Sequence, residues 1–238
     1  MDSTTGVIIP AAGSGTRMGS GQVKQLLSLR GRPVLAHTVH RLMMLETVRY
    51  LVIPTSPELI QTTRNIASQC LREAGREKDV ILDVIHGGDE RMDSVKNGLL
   101  HLMGSSADVV LIHDAVRPCF PLNAVREAIR LALSNGAAIL GIPASDTVKV
   151  VRDGQVVSTP ERKSVWLAQT PQVFRKDILV DAYKKAEKSG FKATDDASLA
   201  EFAGYPVYMV RGSQENIKIT YPSDLFFAEK WVQSHSAV

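Results

Sequence analysis

The sequence predicts a three-layer α/β fold in one domain spanning residues 1–238: a mostly parallel sheet with helices on both faces and a protruding β-hairpin arm. Three observations carry this. Short apolar runs alternate with segments of helical period through the first 142 residues, as βα units do. The runs are almost entirely apolar rather than alternating, as strands covered on both faces are. An Asp153-Gly154 pair then sits between two β-rich runs, the favoured two-residue hairpin turn.

Taken in order, Gly6–Pro10, Tyr50–Pro54, Val80–Ile85, Val109–His113 and Ala137–Pro143 read as the strands. Between them, Pro33 suits the first turn of a helix whose stripe is Leu35, Val39, Leu42 and Met43. Ser56-Pro57 is a cap and first-turn pair. Val95, Leu99 and Leu102 form another stripe, and Val125, Ile129 and Leu133 a fourth. The pattern changes at Thr147. Thr147–Arg152 and Gln155–Thr159 flank the turn, and the arm is taken to run over about 147–170. A hairpin with little to bury is marginal alone, so the arm is expected to pack on a second subunit as a homodimer. Helices follow near Lys176–Ser189 and Asp196–Ala203, then a strand at Pro206–Val210, a loop into Asn216–Thr220, and a last helix begun by Ser223.

At 238 residues the chain is long enough for one full core. A formal net charge of +3 is too small to argue for nucleic acid or an anionic membrane. The cluster Lys184, Lys185 and Lys188 has no aromatic residues interleaved and reads as a solvated helix face. The two cysteines, Cys70 and Cys119, make neither a disulfide framework nor a metal-ligand spacing, which suits a reducing interior. With no basic leader and no long apolar run, the expected place is the cytoplasm, or a plastid stroma where a transit peptide has been removed.

The stretch VIIPAAGSGTRMGSGQVK, Val7 to Lys24, joins the first apolar run to a glycine-rich loop carrying two cations. It is not a P-loop, since no glycine is followed by Lys and then Ser or Thr. Nor is it a dinucleotide fingerprint: Gly13, Gly15 and Gly19 are misspaced, and Tyr50–Thr55 carries no acid. What remains suits a triphosphate held by backbone amides and neutralised by Arg17 and Lys24. Arg17 offers a fork for two oxygens and Lys24 a compact charge.

The run LIHDAVRP places an acid, Asp114, at the carboxyl end of a buried strand, where ligand crevices form; it is read as a candidate for Mg²⁺ or a sugar hydroxyl. Arg117 follows three residues on, suited to a phosphate or to pairing with Asp114. Gly87-Gly88-Asp89-Glu90-Arg91, with Ser94, suits close backbone approach to a base and ribose. The clusters Thr170-Pro171-Gln172, Thr194-Asp195-Asp196 and Asn216–Thr220 stand beside apolar runs without a role of their own. The six histidines form no plausible metal set.

Taken together, PAAGSGTRM with Lys24-Gln25, GGDERMDSV, HDAVRPC, the threonine of SDTVK, LAQTPQ, TDDAS and ENIKIT resemble, in that order, the 2-C-methyl-D-erythritol 4-phosphate cytidylyltransferase family. The likeness runs from Val7 to the last helix. It implies a Rossmann-like fold and transfer of CMP from CTP, with Mg²⁺, to a polyol phosphate. It implies that Arg17 and Lys24 stabilise the triphosphate and transition state, and that Ala11, Ala12, Gly13, Gly15, Gly88, Asp89 and Ser94 hold the nucleotide. Asp114, Arg117, Thr147, Thr170, Thr194 and Lys218 would surround the acceptor or the reacting phosphate, with Asp114 and Lys218 counted among the catalytic groups. Arg162 would reach from the arm into the partner's site. The family often has proline before the loop lysine; Val23 stands there in this chain. Two other readings share the features: a ribitol-5-phosphate cytidylyltransferase and a nucleotide-binding protein without transferase activity.

Overall fold

The computed structural model describes residues 3–13 and 23–235. Its centre is a seven-stranded sheet. In chain order the strands are β1 (Thr5–Ile8), β4 (Val48–Thr55), β5 (Ile81–His86), β6 (Val109–Ile112), β7 (Ala137–Pro143), β10 (Trp166–Arg175) and β11 (Tyr208–Arg211). They lie side by side as β11-β7-β10-β6-β1-β4-β5. All neighbours are parallel except β10, which runs antiparallel between β6 and β7. The helices are α1 (Val34–Met43), α2 (Ile60–Glu73), α3 (Arg91–Leu102), α4 (Leu122–Asn135), α5 (Lys176–Ser189), α6 (Asp196–Phe202) and α7 (Pro222–His235).

The period-two geometry of a strand sends successive side chains to opposite faces, and both faces here are covered. Val7 and Ile9 join Leu51, Ile53 and Leu111 beneath α1, α2 and α4. Ile8 joins Val52, Val110, Ile112 and Phe174 beneath α3, α5 and α6. A third cluster, Leu27, Leu29, Val34, Cys119, Ile219, Ala228 and Val232, seats α7 against the segment that enters α1. Helix α3 lies unusually close to β1, because a Cβ on Gly98 would come within 2.8 Å of Ile8 Cγ2. That approach brings the first turn of α3 to the carboxyl end of the sheet.

The arm forms as expected in part. Two short strands, β8 (Val150–Arg152) and β9 (Gln155–Ser158), pair across Asp153 and Gly154, whose φ values of 49° and 80° are those of a type I′ turn. Its boundary at 170 is corrected, since from Trp166 onward the chain is already strand β10 of the main sheet. Gln169, Thr170 and Gln172 hide that strand in the sequence: polar residues interrupt its apolar pattern, yet all three are buried. A second unforeseen hairpin, β2 (Ser28–Leu29) with β3 (Arg32–Pro33), turns at Arg30 and Gly31, both with positive φ, and leads into α1. Among the described residues no helix is long and apolar enough to cross a membrane.

Candidate active site

The chain leaves β1 toward β4 on one side of the sheet and returns to β6 on the other. A crevice at the carboxyl ends follows from that reversal of strand order. A cleft of about 570 Å³ opens there. One wall is backbone: Ala11, Ala12 and Gly13 leaving β1, and Gly88 and Asp89 leaving β5. The segment leaving β5 needs glycine for close packing. A Cβ on Gly87 would lie 2.5 Å from that of Ala12, and one on Gly88 would lie 2.2 Å from Asp93 Cβ. The Gly88 N–H donates to Ser94 Oγ at 3.0 Å, folding the loop onto the start of α3. Glu90 caps α3 in a reciprocal box with Asp93. Gln25 donates to the carbonyl of Ala11, tying the short 3₁₀ turn Lys24–Leu26 to the exit of β1. Lys24, largely buried, lines the cleft beside it.

A charge cluster built on Asp114 lines the same cleft. Its carboxylate receives Arg91 Nε at 3.2 Å on Oδ1, and Arg117 Nε at 3.2 Å and Lys218 Nζ at 3.1 Å on Oδ2. Burial opposes ionisation of Asp114. The cations Lys218, Arg91 and Arg117 outweigh that penalty and hold the group well below the usual carboxylate range. Arg91 also bonds the buried Asp196 through Nη1 at 2.8 Å, and Tyr183 donates to the other oxygen of Asp196 at 2.7 Å. Burial works against the Arg91 charge as well, but Asp196 and Asp114 together raise its pKa. Three cations against two carboxylates leave this cluster net positive, suited to an anion.

Backbone order supports the cluster. The Asp114 N–H donates to Thr170 Oγ1 at 3.1 Å, and Arg117 Nη1 donates to the Asn216 carbonyl at 2.7 Å. The buried Asn216 amide in turn donates to the Thr170 carbonyl at 2.9 Å and to Gln169 Oε1 at 3.2 Å. The Ile219 N–H reaches the Val116 carbonyl at 2.9 Å, pinning the Lys218 segment to the Asp114 turn. Beside the cleft, Thr194 lines a small depression that shares Glu90 and Arg91 with it.

The structure thus gathers Ala11, Ala12, Gly13, Lys24, Gly88, Asp89, Ser94, Asp114 and Lys218 around one cleft, with Arg117 and Thr170 bonded to Asp114 behind it. It does not bring Thr147 or Arg162 there. Both are exposed in or beside the arm, where Arg162 Nη1 donates to the Ser145 carbonyl at 3.3 Å. Gly15 and Arg17 lie outside the described residues. Both oxygens of Asp114, the candidate Mg²⁺ ligand of the sequence, accept charged donors from Arg91, Arg117 and Lys218. Among the described residues no group of three His, Cys, Asp or Glu side chains could hold a metal.

Four contributors went unassigned in the sequence. Arg91 and Asp196 were each visible inside a motif, but their pairing joins α3 to α6. Gln25 and Asn216 act through backbone carbonyls and carry no spacing that announces them.

Comparison with known proteins agrees with this geometry. The family model described as 2-C-methyl-D-erythritol 4-phosphate cytidylyltransferase matches residues 5–234. Proteins of that name from Syntrophus aciditrophicus and Desulforamulus reducens are 43% and 41% identical to the chain. Each alignment covers 95% of this chain and 94% of the relative. The crystal structure of 4-diphosphocytidyl-2C-methyl-D-erythritol synthase from Anaerococcus prevotii superposes with a TM-score of 0.81 at 30% identity, over 98% of this chain and all of that one. The Francisella tularensis 2-C-methyl-D-erythritol 4-phosphate cytidylyltransferase gives 0.80 at 30% identity, over 96% of this chain and 100% of its own. A cleft lined by glycine-packed backbone and preorganised cations, on this sheet and with these relatives, makes the chain a member of the 2-C-methyl-D-erythritol 4-phosphate cytidylyltransferase family, a family of nucleotidyltransferase enzymes.

Proposed function

We propose that the protein transfers CMP from CTP to the phosphate of 2-C-methyl-D-erythritol 4-phosphate, releasing pyrophosphate and forming 4-diphosphocytidyl-2-C-methyl-D-erythritol. The observation that carries the reading is the cation set on Asp114 facing a backbone-lined cleft, in a chain of this family. An acceptor phosphate oxygen attacks the α-phosphorus of CTP. A new P–O bond forms, the bond to the bridging oxygen breaks, and that oxygen leaves with the electron pair as pyrophosphate. A phosphate monoester is already anionic near neutral pH, so no general base is needed. The protein's task is positioning and stabilisation of charge.

In this reading Ala11, Ala12, Gly13, Gly88, Asp89 and Ser94 hold base and ribose, with Gly15 part of the same loop. Lys24 and Arg17 neutralise the triphosphate and the charge developing on the α-phosphate. Asp114, Arg117, Thr170, Thr194 and Lys218 receive the acceptor. Mg²⁺ enters as part of the CTP substrate complex, carried mostly by phosphate oxygens, with Asp114 as the candidate protein ligand. The exposed arm, with Val150, Val151, Val156 and Val157 all open to solvent, packs on a second copy and brings Thr147 and Arg162 to that copy's cleft.

The test is pyrophosphate release from CTP and Mg²⁺ with each polyol phosphate in turn. Release with 2-C-methyl-D-erythritol 4-phosphate and not with ribitol 5-phosphate is expected. Release with ribitol 5-phosphate alone, or with neither, overturns the proposal.

A further inference from the structure

The residue before Asp114 has no place in the reaction as described. His113 is fully buried at the end of β6, its backbone N–H bonded to the Ile8 carbonyl and its ring edge-on to Phe120 at 4.6 Å between centroids. Its Nε2 stands 2.9 Å from the carbonyl oxygen of Arg117. A carbonyl cannot donate, so Nε2 must carry the hydrogen, which leaves Nδ1 as a bare acceptor. Nδ1 is buried and has no hydrogen-bond partner among the described residues. An apolar ring would fill the same space beside Phe120 without that orphaned atom, whose burial is unfavourable. What an apolar ring would lose is the donor to Arg117. That bond spans the turn carrying both Asp114 and Arg117, whose backbone is further fixed by Arg117 N–H to the Asp114 carbonyl at 3.2 Å.

We propose that His113 is a positioning residue for the acceptor phosphate: its Nε2–H, bonded to the Arg117 carbonyl, closes the 113–117 turn and sets the Arg117 guanidinium against Asp114 without itself touching substrate. The inference rests on the transfer reaction proposed above. It separates two substrates that share one cleft. The CTP wall is built from the exits of β1 and β5, and the His113 bond touches neither, so loss of the bond falls on the acceptor alone.

The test uses the full chain and two substitutions. His113→Phe keeps the ring and removes the donor, whereas His113→Gln keeps an N–H donor at similar reach. We expect His113→Phe to raise KM for 2-C-methyl-D-erythritol 4-phosphate about tenfold or more while leaving the Kd for CTP within about twofold, and His113→Gln to return KM to within about threefold of the parent. Long-range ¹H–¹⁵N spectra of the unsubstituted protein should show His113 as the Nε2–H tautomer. Parent-like KM in His113→Phe, equal weakening of CTP and acceptor, failure of His113→Gln to recover, or an Nδ1–H tautomer would each overturn the proposal. Should His113→Phe not fold, His113→Gln kinetics and the tautomer still decide. If the unsubstituted protein fails to turn over this acceptor, the proposed reaction falls instead; the tautomer and the CTP affinities are read without turnover.

Discussion

Lys218 and Asp114 meet at 3.1 Å at the edge of the cleft, the lysine from the segment between β11 and α7 and the acid from the end of β6. Lys218 is the most exposed of the three cations on that carboxylate, while Arg117 is nearly buried and Arg91 is bonded to a second acid. Asp114 therefore orients cations for an incoming anion. Asp114→Asn should keep the shape but lose the charge that aligns them. Expected is a fall in kcat/KM for the acceptor of about 10²-fold, the scale of losing preorganised charge stabilisation. Steady-state pyrophosphate release checks this, and a loss confined to KM for CTP would contradict it.

The same cluster fixes a pH window for stability. The Asp114 pKa is depressed in the folded state, so its contribution is complete above the unfolded carboxyl value of about 3.9 and is lost as pH falls below it. Burial pushes His113 down to about 4. The unfolded chain takes up that proton from about pH 6.5 downward and the folded chain does not, so stability falls between about pH 6.5 and 4. The Tm gap between the parent and Asp114→Asn should thus be flat from about pH 5 to 8 and shrink below about pH 4. His113→Gln should lose less Tm than the parent between about pH 6.5 and 4. Thermal melts across pH distinguish the two groups by window.

Much of this was legible from residue order. Asp114 stood out because an acid ending a buried apolar run has few places to point except a crevice, and the glycine pairs marked where backbone must come close. The strand β10 was not legible, because Gln169, Thr170 and Gln172 look like loop residues until their buried partners are known. The Gln172 amide donates to Asp195 at 2.8 Å and its oxygen accepts from the Ala197 N–H at 3.0 Å. The charge cluster on Asp114 was hidden for a related reason. Its three cations come from α3, from its own turn and from the segment before α7, and no local spacing records that they converge.

Asp196 links the cluster to the core. It is buried, bonded to Arg91 and Tyr183, and has no access to water that would compensate a lost partner. Asp196→Asn should destabilise the protein by about 2 kcal/mol, discounted from the usual cost of breaking a buried pair because Arg91 is part-exposed. A Tm fall of about 4–8 °C follows for a chain of this size. Tyr183→Phe removes one neutral donor and should cost about 1 kcal/mol. Calorimetry on both variants checks the ranking; equal or reversed losses would show that Asp196 does not depend mainly on Arg91.

Lys24 and Arg162 provide a test of whether sites are shared between subunits. Lys24 lines the cleft of its own chain, whereas Arg162 stands exposed near the arm and away from that cleft. Lys24→Ala alone should lower kcat by about 10²-fold, and Arg162→Ala should be similarly impaired if the arm completes a second subunit's site. In a dimer of one Lys24→Ala chain and one Arg162→Ala chain, one cleft carries both defects and the other carries neither. Random mixing makes half of the dimers mixed, so unfolding and refolding the two inactive proteins together should restore about a quarter of parental activity. Refolding each alone should restore none. Recovery near zero in the mixture, with dimers present by sedimentation, would mean that Arg162 serves its own chain; a monomer at micromolar concentration would remove the shared site altogether.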